Sequence, residues 1–226
     1  MSFEVARPEL PIAGRSDKFP VRRVYCVGQN YAAHTRELGG DPEREPPFFF
    51  MKPADAVVPG GGVLPYPPRT ADLHHEVELV VAVGRKGRGI APAEAPGYVF
   101  GYAAGIDLTR RDLQREAKAA RRPWTTAKAF DHSAPVSAIQ AVEAAGHPRS
   151  GRIWLRVNDE LRQDADLADM TWKVPEIVAE LSTLFTLHPG DLVFTGTPAG
   201  VGPLRPGDRA AGGIEGVAEI RIEIAR

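Results

Sequence analysis

The chain has a single cysteine and no long hydrophobic run. Only Cys26 carries a thiol among 226 residues, which excludes an intrachain disulfide framework and fits a reducing compartment. No apolar stretch reaches the length that a membrane span requires. Residues 1–20 mix charges with prolines and lack the apolar core of a signal peptide. The sequence therefore predicts a soluble, cytoplasmic protein that does not engage a membrane.

An excess of charge of one sign is also missing. Lys and Arg number 28 against 29 Asp and Glu, so no global field favours nucleic acid or an anionic surface as a partner. The Cys and His spacing typical of structural zinc is absent. The glycine-rich stretches at 60–62 and 196–202 lack the Gly-Lys-Ser/Thr of a phosphate-binding loop. A small anionic substrate stays open, because it requires only local positive charge.

Short apolar segments separated by turns predict a mostly β (α+β) protein with short helices. The length suits one domain with an appendage, and we see no internal repeats. Residues 1–20 contain Pro8, Pro11 and Pro20 and are expected to form an extended arm. Residues 21–226 are expected to form one domain. Within it, helices are predicted over 31–38, 110–120 and 174–185.

Two carboxylates stand at the head of an apolar run from Leu73 to Val83. In a strand, Glu76 and Glu78 point to the same face, since side chains alternate. Like charges on a buried face need a partner, and a divalent cation is the simplest one. A solvated face with nearby arginines explains the same pattern equally well.

A third carboxylate favours the metal interpretation. Residues 101–109 form a strand of small side chains that delivers Asp107 to its end. Three carboxylate ligands suit a hard divalent cation that keeps open positions for water or substrate. The sequence therefore predicts a metal site made of Glu76, Glu78 and Asp107.

A histidine and a carboxylate are paired on the first predicted helix. His34 and Glu37 are three residues apart and share a face. A histidine oriented by a carboxylate is suited to activate water as a general base. The alternative is an ordinary exposed helix pair. The charged, proline-rich loop that follows makes the region around 30–46 a candidate lid.

Several cations are candidates for contact with an anionic substrate. Lys52 ends an apolar run at a proline corner, where it either closes an anionic site or extends to water. Arg111 and Gln114 share one face of the second predicted helix, and Arg offers a planar fork to a carboxylate. Lys128 lies between two alanines and suits a half-buried cation. A solvated basic face is the expected setting of four further residues: Arg115, Lys118, Arg121 and Arg122.

Five motifs together resemble the fumarylacetoacetate hydrolase family, in chain order from about Phe19 to the C-terminus. They are Cys26-Val-Gly-Gln-Asn-Tyr-Ala-Ala-His34-Thr-Arg-Glu37, His74-His-Glu76-Val-Glu78, Asp107-Leu-Thr-Arg-Arg-Asp-Leu-Gln114, Trp124-Thr-Thr-Ala-Lys128 and Gly196-Thr197-Pro-Ala-Gly-Val-Gly202. Within the family, the segments 19–25, 44–50, 52–58 and 131–135 look most like bacterial fumarylpyruvate hydrolases of gentisate breakdown.

The resemblance implies a mixed β-sandwich or β-roll core, a homodimer, and Mg²⁺ or Mn²⁺ held by Glu76, Glu78 and Asp107. It implies a water-activating dyad of His34 and Glu37 on a lid that orders over the substrate. Residues expected to contact the pyruvate or oxyanion end are Arg111, Gln114, Lys128 and Thr197, with Lys52 as a further substrate contact. Gln29 and Ile106 depart from the family pattern, where Arg and Asn are common.

The implied activity is hydrolysis of the carbon–carbon bond of an acylpyruvate, such as fumarylpyruvate to fumarate and pyruvate. Three alternatives stay open. One is an acylpyruvase or oxaloacetate decarboxylase with the same site. The others are an isomerase or decarboxylase of 2-hydroxymuconate-type diacids, and a silent protein that only binds metal and keto acid.

Overall fold

A computed structural model describes residues 7–37 and 46–226. Within those residues the strands, β1 to β18 in chain order, are Glu9–Pro11, Lys18–Pro20, Arg23–Gly28, Phe48–Lys52, Val57–Pro59, Gly61–Leu64, Leu73–His75, Val77–Val83, Val99–Ile106, Thr109–Arg110, Ala134–Val136, Gln140–Ala141, Arg152–Val157, Glu160–Asp166, Asp191–Phe194, Gly202–Leu204, Arg209–Ile214 and Ala218–Ile224. The α-helices, α1 to α5, are Ala32–Glu37, Arg111–Ala119, Thr125–Lys128, Val142–Ala145 and Val174–Leu184, and 3-10 turns span Ala54–Ala56, Ala95–Tyr98 and Leu167–Asp169.

Two large sheets pack face to face. The larger is mixed, with strand order β4-β3-β15-β8-β9-β11-β5 and β12 paired to β9, and the smaller has the order β14-β13-β17-β18-β6. The main apolar cluster lies between them and joins residues such as Leu79 of β8 to Leu155 of β13 and Ile222 of β18. The prediction of a mostly β fold with short helices is confirmed. No helix in the described ranges is long and apolar enough to cross a membrane.

Strand β8 is apolar at nearly every position because both faces of the large sheet are covered. Leu79 and Val81 face the core between the sheets. Val80 and Ala82 face a second cluster on the opposite side. Glu78 shares the parity of Val80, so its side chain leaves the strand on that second side.

The N-terminal segment contributes to the second cluster. β1 and β2 pair antiparallel, with Leu10 opposite Phe19, and both side chains are buried against the large sheet. The segment 9–20 is therefore a packed cover for that sheet. Residues 1–6 of the predicted arm lie outside the described residues.

The expected single strand over 73–83 is wrong in one respect, because it divides at Glu76. β7 pairs with β10 and β16 in a small third sheet, whereas β8 pairs with β9 in the large sheet. The neighbouring strand β9 ends at the same level, and Asp107 lies between β9 and β10. The amide of Asp107 donates to the carbonyl of Glu76 at 2.8 Å. The two neighbouring segments thus pass between the large sheet and the small third sheet at the same level, and their carboxylates meet there.

Candidate metal centre and catalytic site

The three predicted metal ligands converge. Each of Glu76, Glu78 and Asp107 offers a carboxylate oxygen, and these oxygens all lie within 4.8 Å of one another. The residues are 5%, 2% and 0% exposed. The solvated-face alternative for Glu76 and Glu78 is excluded by this burial. The break at Glu76 brings the two glutamates and Asp107 to one point, at the ends of two central strands of the large sheet.

Cations surround this cluster. Lys128, at the end of α3, donates from Nζ to Glu76 Oε2 and to Asp107 Oδ2, each at 2.7 Å. Arg111, at the start of α2, donates to the other oxygen of Glu76. Glu78 instead accepts from the backbone amide of Gly196 at 2.6 Å. The negative charge of Glu76 is therefore matched locally, whereas Glu78 has a neutral donor.

The carboxyl pKa values diverge for this reason. Burial raises the pKa of Glu76, but Lys128 and Arg111 outweigh burial and hold it well below its usual range. Burial, reinforced by Asp107 and Glu76, raises the pKa of Glu78 well above its usual range. Three buried carboxylates at this spacing are costly to ionise together. A divalent cation removes that cost.

The donor set also fits such a cation. All three ligands are hard oxygens, which Mg²⁺ and Mn²⁺ prefer over nitrogen and sulfur. Oδ1 of Asp107 lies 2.8 Å from Lys52 Nζ, yet among the described groups it accepts no well-formed hydrogen bond. A buried carboxylate oxygen with a free lone pair is what a metal ligand requires.

His34 lines the same cavity as the carboxylates, and Glu37 contacts its imidazole from outside the lining. Nδ1 of His34 lies 3.0 Å from Glu37 Oε2, and His34 is buried on α1. With Nδ1 engaged, Nε2 is the nitrogen available to a water or substrate. The exposed-pair alternative is wrong for His34, because the imidazole is buried and lines the cavity. Helix α1 begins at Ala32, and Leu38 and the rest of the predicted lid through residue 45 lie outside the described residues.

The loop after β15 donates backbone hydrogen bonds to Glu37 and Glu78. The amide of Gly200 donates to Glu37 Oε1 at 3.0 Å, as the amide of Gly196 does to Glu78. A Cβ at Gly196 would lie 2.7 Å from the Cβ of Asn30, and its φ of +94° lies in the left-handed region. The sequence indicated only that this loop allows close approach of a ligand. Its amide contacts were not predictable, since they depend on where α1 docks.

Thr197 and Gln163 bind this loop to the start of β8. Thr197 donates to the carbonyl of Val77 at 2.8 Å and accepts from Gln163 Nε2 at 2.8 Å. Oε1 of Gln163 accepts from the amide of Val77 at 3.1 Å. Gln163 comes from β14 of the smaller sheet and is fully buried. Sequence reasoning missed it, because a glutamine in an alternating edge strand gives no signal of burial.

The predicted substrate contacts Arg111 and Gln114 share one face, as expected. Nη1 of Arg111 donates to Oε1 of Gln114 at 2.5 Å, and both residues are buried and line the cavity. Thr197 and Lys128 line it too. Four of the five predicted substrate-side residues therefore surround one recess beside the carboxylates.

Lys52 is the exception. Its side chain is completely buried, so the alternative in which it extends to water is wrong. Nζ donates to the carbonyls of Leu108 at 3.2 Å and of Lys128, and it lies beside Asp107. Lys52 is not among the residues that line the recess. Its expected direct contact with substrate stays a prediction; in this structure its ammonium lies against Asp107.

The recess encloses about 20 Å³ of free space, room for about one water. Beyond the carboxylates its wall includes Gln29, Phe50, Trp124 and Lys118. Lys118 was assigned to a solvated basic face, which is wrong: it is half-buried on the cavity side of α2. Gln29, which stands where the family commonly has Arg, therefore lies in the cavity wall. Ile106 is fully buried in the main apolar cluster, where its side chain adds no polar group near the carboxylates.

The fold agrees with comparisons to known proteins. Residues 23–225 match the family model described as fumarylacetoacetate (FAA) hydrolase C-terminal. Mitochondrial oxaloacetate tautomerase FAHD1 of Mus musculus is 43% identical over 205 residues, which are 91% of this chain and 92% of that protein. The crystal structure of fumarylpyruvate hydrolase from Pseudomonas aeruginosa in complex with Mn²⁺ and pyruvate is 50% identical, has a TM-score of 0.97, and matches over 100% of this chain and 98% of its own.

A third relative has another activity in its name. The structure of 5-carboxymethyl-2-hydroxymuconate delta-isomerase from Mycobacterium smegmatis is 31% identical with a TM-score of 0.83, over 92% of this chain and 80% of its own. The family match covers most of the chain, and the site built from carboxylates, dyad and cations lies within it. This protein is a member of the fumarylacetoacetate hydrolase family.

Proposed function

We propose that the protein is a metal-dependent hydrolase that cleaves the carbon–carbon bond of an acylpyruvate, with fumarylpyruvate as the leading substrate. The observation that carries the proposal is that His34 lines the same recess as Glu76, Glu78 and Asp107. A base for water and a site for a polarising cation are the two requirements of this reaction. The fumarylpyruvate hydrolase to which the chain is similar holds Mn²⁺ and pyruvate.

Glu76, Glu78 and Asp107 would hold Mg²⁺ or Mn²⁺, whose contribution when bound is Lewis-acid polarisation of the keto-acid oxygens. Arg111 and Gln114 orient the pyruvyl carboxylate from the start of α2, because their donors face the recess beside Glu76. Thr197, fixed by Val77 and Gln163, closes the opposite wall. The pyruvyl end is thereby held in one orientation, with the distal carbonyl toward α1.

His34 acts as the general base. Glu37 orients the imidazole through Nδ1, so Nε2 takes a proton from water, and the resulting hydroxide attacks the distal carbonyl. The bond between C3 and that carbonyl carbon then breaks, which gives a carboxylic acid and the enolate of pyruvate. Returning the proton from His34 to C3 of the enolate yields pyruvate and restores the base.

Lys128 stabilises the negative charge that develops on the departing enolate. Burial lowers the pKa of this ammonium, but Asp107 and Glu76 outweigh burial and raise it. Lys128 therefore stays protonated at neutral pH. Its position between two carboxylates keeps it fixed without a rearrangement during the reaction.

A second candidate is oxaloacetate tautomerase or decarboxylase activity, favoured by the 43% identity to oxaloacetate tautomerase. Tautomerisation requires only that His34 move a proton between C3 and the enol oxygen, and the same residues serve that step. No water attack is involved. The hydrolase therefore differs from the tautomerase in breaking a carbon–carbon bond, and from the decarboxylase in requiring water.

A substrate panel with Mn²⁺ tests the proposal. We expect loss of enol absorbance and stoichiometric pyruvate, detected with lactate dehydrogenase, from fumarylpyruvate and more slowly from acetylpyruvate. Oxaloacetate is followed both for enol–keto interconversion and for pyruvate release. Rapid interconversion of oxaloacetate with no cleavage of either acylpyruvate would overturn the hydrolase proposal in favour of the tautomerase.

A further inference from the structure

One face of α2 lines the recess along its length. Arg111, Gln114 and Lys118 are spaced by three and four residues, which places them on one helical face. All three contribute to the cavity wall. Seven residues of helix advance by roughly 10 Å at about 1.5 Å per residue. Arg111 stands beside the carboxylates, so Lys118 marks the other end of the same wall.

Lys118 differs from the neighbouring cation Arg115 in its contacts. Among the residues that the structure describes, it forms no ion pair, whereas its neighbour Arg115 pairs with Asp72 at 2.9 Å. The contact that Lys118 does make is with an aromatic face: Nζ lies 5.1 Å from the ring centroid of Trp124. This geometry holds the ammonium at the cavity wall.

The surroundings of Lys118 are unfavourable for a lone cation. Burial, followed by repulsion from Arg111, lowers the pKa of its ammonium. Glu76, which raises that pKa, is already bonded to Arg111 and Lys128. A half-buried ammonium with no counterion among the described residues, facing a recess suited to an acid, indicates that a negative charge of the ligand belongs there.

We propose that Lys118 binds the distal carboxylate of a dicarboxylic acylpyruvate, and so selects diacids over acylpyruvates with an uncharged tail. The inference rests on the proposed function, because it places the pyruvyl end at Arg111 and Gln114. The carboxyl carbons of fumarylpyruvate are six bonds apart, roughly 7 Å at the ~1.2 Å advance per bond of an extended chain. That length matches the span of α2 once both side chains reach inward.

The aromatic wall supports the same orientation. Phe50 and Trp124 have ring centroids 5.8 Å apart and line the recess between Lys128 and Lys118. Lys128 Nζ lies 5.1 Å from the Phe50 centroid. A flat, conjugated acyl chain fits against such a wall, with one cation at each end of it.

A matched pair of substrates isolates the distal charge. Succinylpyruvate and butanoylpyruvate have the same carbon skeleton and differ only in a terminal carboxylate against a methyl group. Steady-state kinetics with Mn²⁺ compare the wild type with Lys118→Met, Lys118→Arg and Lys86→Met. Lys86 is an exposed lysine on the loop after β8, so its replacement controls for the change in net charge.

In Lys118→Met we expect kcat/KM for succinylpyruvate to fall about tenfold or more, the loss typical of a hydrogen bond between charged groups. The loss should appear in KM, and butanoylpyruvate should be cleaved as by the wild type. Lys118→Arg should keep most of the preference, and Lys86→Met all of it. Equal losses on both substrates, or no loss on either, would show a packing role against Trp124 and overturn the proposal.

Affinity measurements test the role of Lys118 independently of the proposed function. Calorimetry measures the affinity of each diketo acid for the Mn²⁺-loaded His34→Ala variant, with and without Lys118→Met. If the wild type cleaves neither substrate but succinylpyruvate binds tighter in a Lys118-dependent way, the hydrolase proposal fails and the role of Lys118 stands. If the affinities do not depend on Lys118, its proposed role fails whatever the enzyme cleaves.

Discussion

The orientation and protonation state of single residues in the site depend on their neighbours as well as on residue type. His34 is proposed as the base because Glu37 contacts its ring, and Glu37 accepts in turn from the amide of Gly200. Lys128 remains a cation because Asp107 and Glu76 surround it. The same lysine in an apolar pocket would lose its proton more readily.

Replacing His34 by alanine removes the base and leaves the carboxylate cluster intact. We expect kcat to fall by about 10²- to 10⁴-fold, the usual contribution of a general base, with unchanged affinity for Mn²⁺ in calorimetry. His188→Ala, a histidine on the turn before β15, is the control and should retain activity. A fully active His34→Ala enzyme would contradict the role of the dyad.

The thiol of Cys26 should be unreactive in the native protein. The residue is fully buried in β3, and burial, reinforced by the charge of Asp107, raises the pKa of the thiol well above its usual range. Because the thiolate is the nucleophile, the group stays protonated and silent across neutral and mildly alkaline pH. Titration with a disulfide reagent at pH 8 should detect no thiol before denaturation and one after it; rapid labelling of the native protein would contradict the burial.

At the scale of elements, α1 and the loop after β15 form one unit. The loop binds Glu37 through the amide of Gly200 and Glu78 through that of Gly196. It therefore couples the position of Glu37, and with it the proposed base His34, to the position of Glu78. Asn30 anchors the start of α1 to the same region, since its Nδ2 donates to the carbonyl of Thr195 at 2.8 Å.

Gly200→Ala tests this coupling. Gly200 has a φ of +93°, and a Cβ there would lie 2.0 Å from the carbonyl oxygen of Arg162, so the loop must shift and weaken its hold on Glu37. We expect kcat to fall by roughly 10²-fold, as for a displacement of about 1 Å in a catalytic group, with Mn²⁺ still bound. Gly207→Ala has a matching φ of +90° but its nearest neighbour lies 3.5 Å away, so it controls for backbone strain alone. Equal activity in both variants would remove the loop from the mechanism.

At the scale of the whole molecule, metal bound to the carboxylate cluster should stabilise the folded state, because it relieves repulsion among the three carboxylates. A ligand that binds only the folded state at about 100 times its Kd stabilises by about 2.7 kcal/mol. For a chain of this size that raises Tm by roughly 5–10 °C. Differential scanning calorimetry with Mn²⁺ should show this rise in the wild type and little of it in Glu76→Gln. An equal rise in both proteins would place the metal elsewhere.

The homodimer implied by the family resemblance stays a prediction at this scale. Sedimentation equilibrium would test it, with twice the chain mass as the expected result and the chain mass as the contrary one. Strand β4 is an edge strand of the large sheet and carries two large exposed apolar side chains, Phe48 and Met51. Edge strands of this kind are normally covered.

The fold class and the carboxylate cluster could be predicted from the sequence. The alternation in β18 and the apolar run of β8 predict strands, because periodicity follows from local geometry alone. Glu76, Glu78 and Asp107 were identifiable because ionisable groups among buried positions need a partner. His34 and Glu37 were identifiable because a helix fixes the spacing of its faces.

The tertiary structure decided what depends on contacts between distant segments. The division of the strand at Glu76 follows from pairing with two different sheets, which no local pattern encodes. Lys52 lies against Asp107 and Lys118 lines the recess, and neither position follows from the sequence, because the side of a strand or helix that is covered depends on its neighbours. Gln163 and the amides of Gly196 and Gly200 act across separations of more than 30 residues, where only the folded chain brings donor and acceptor together.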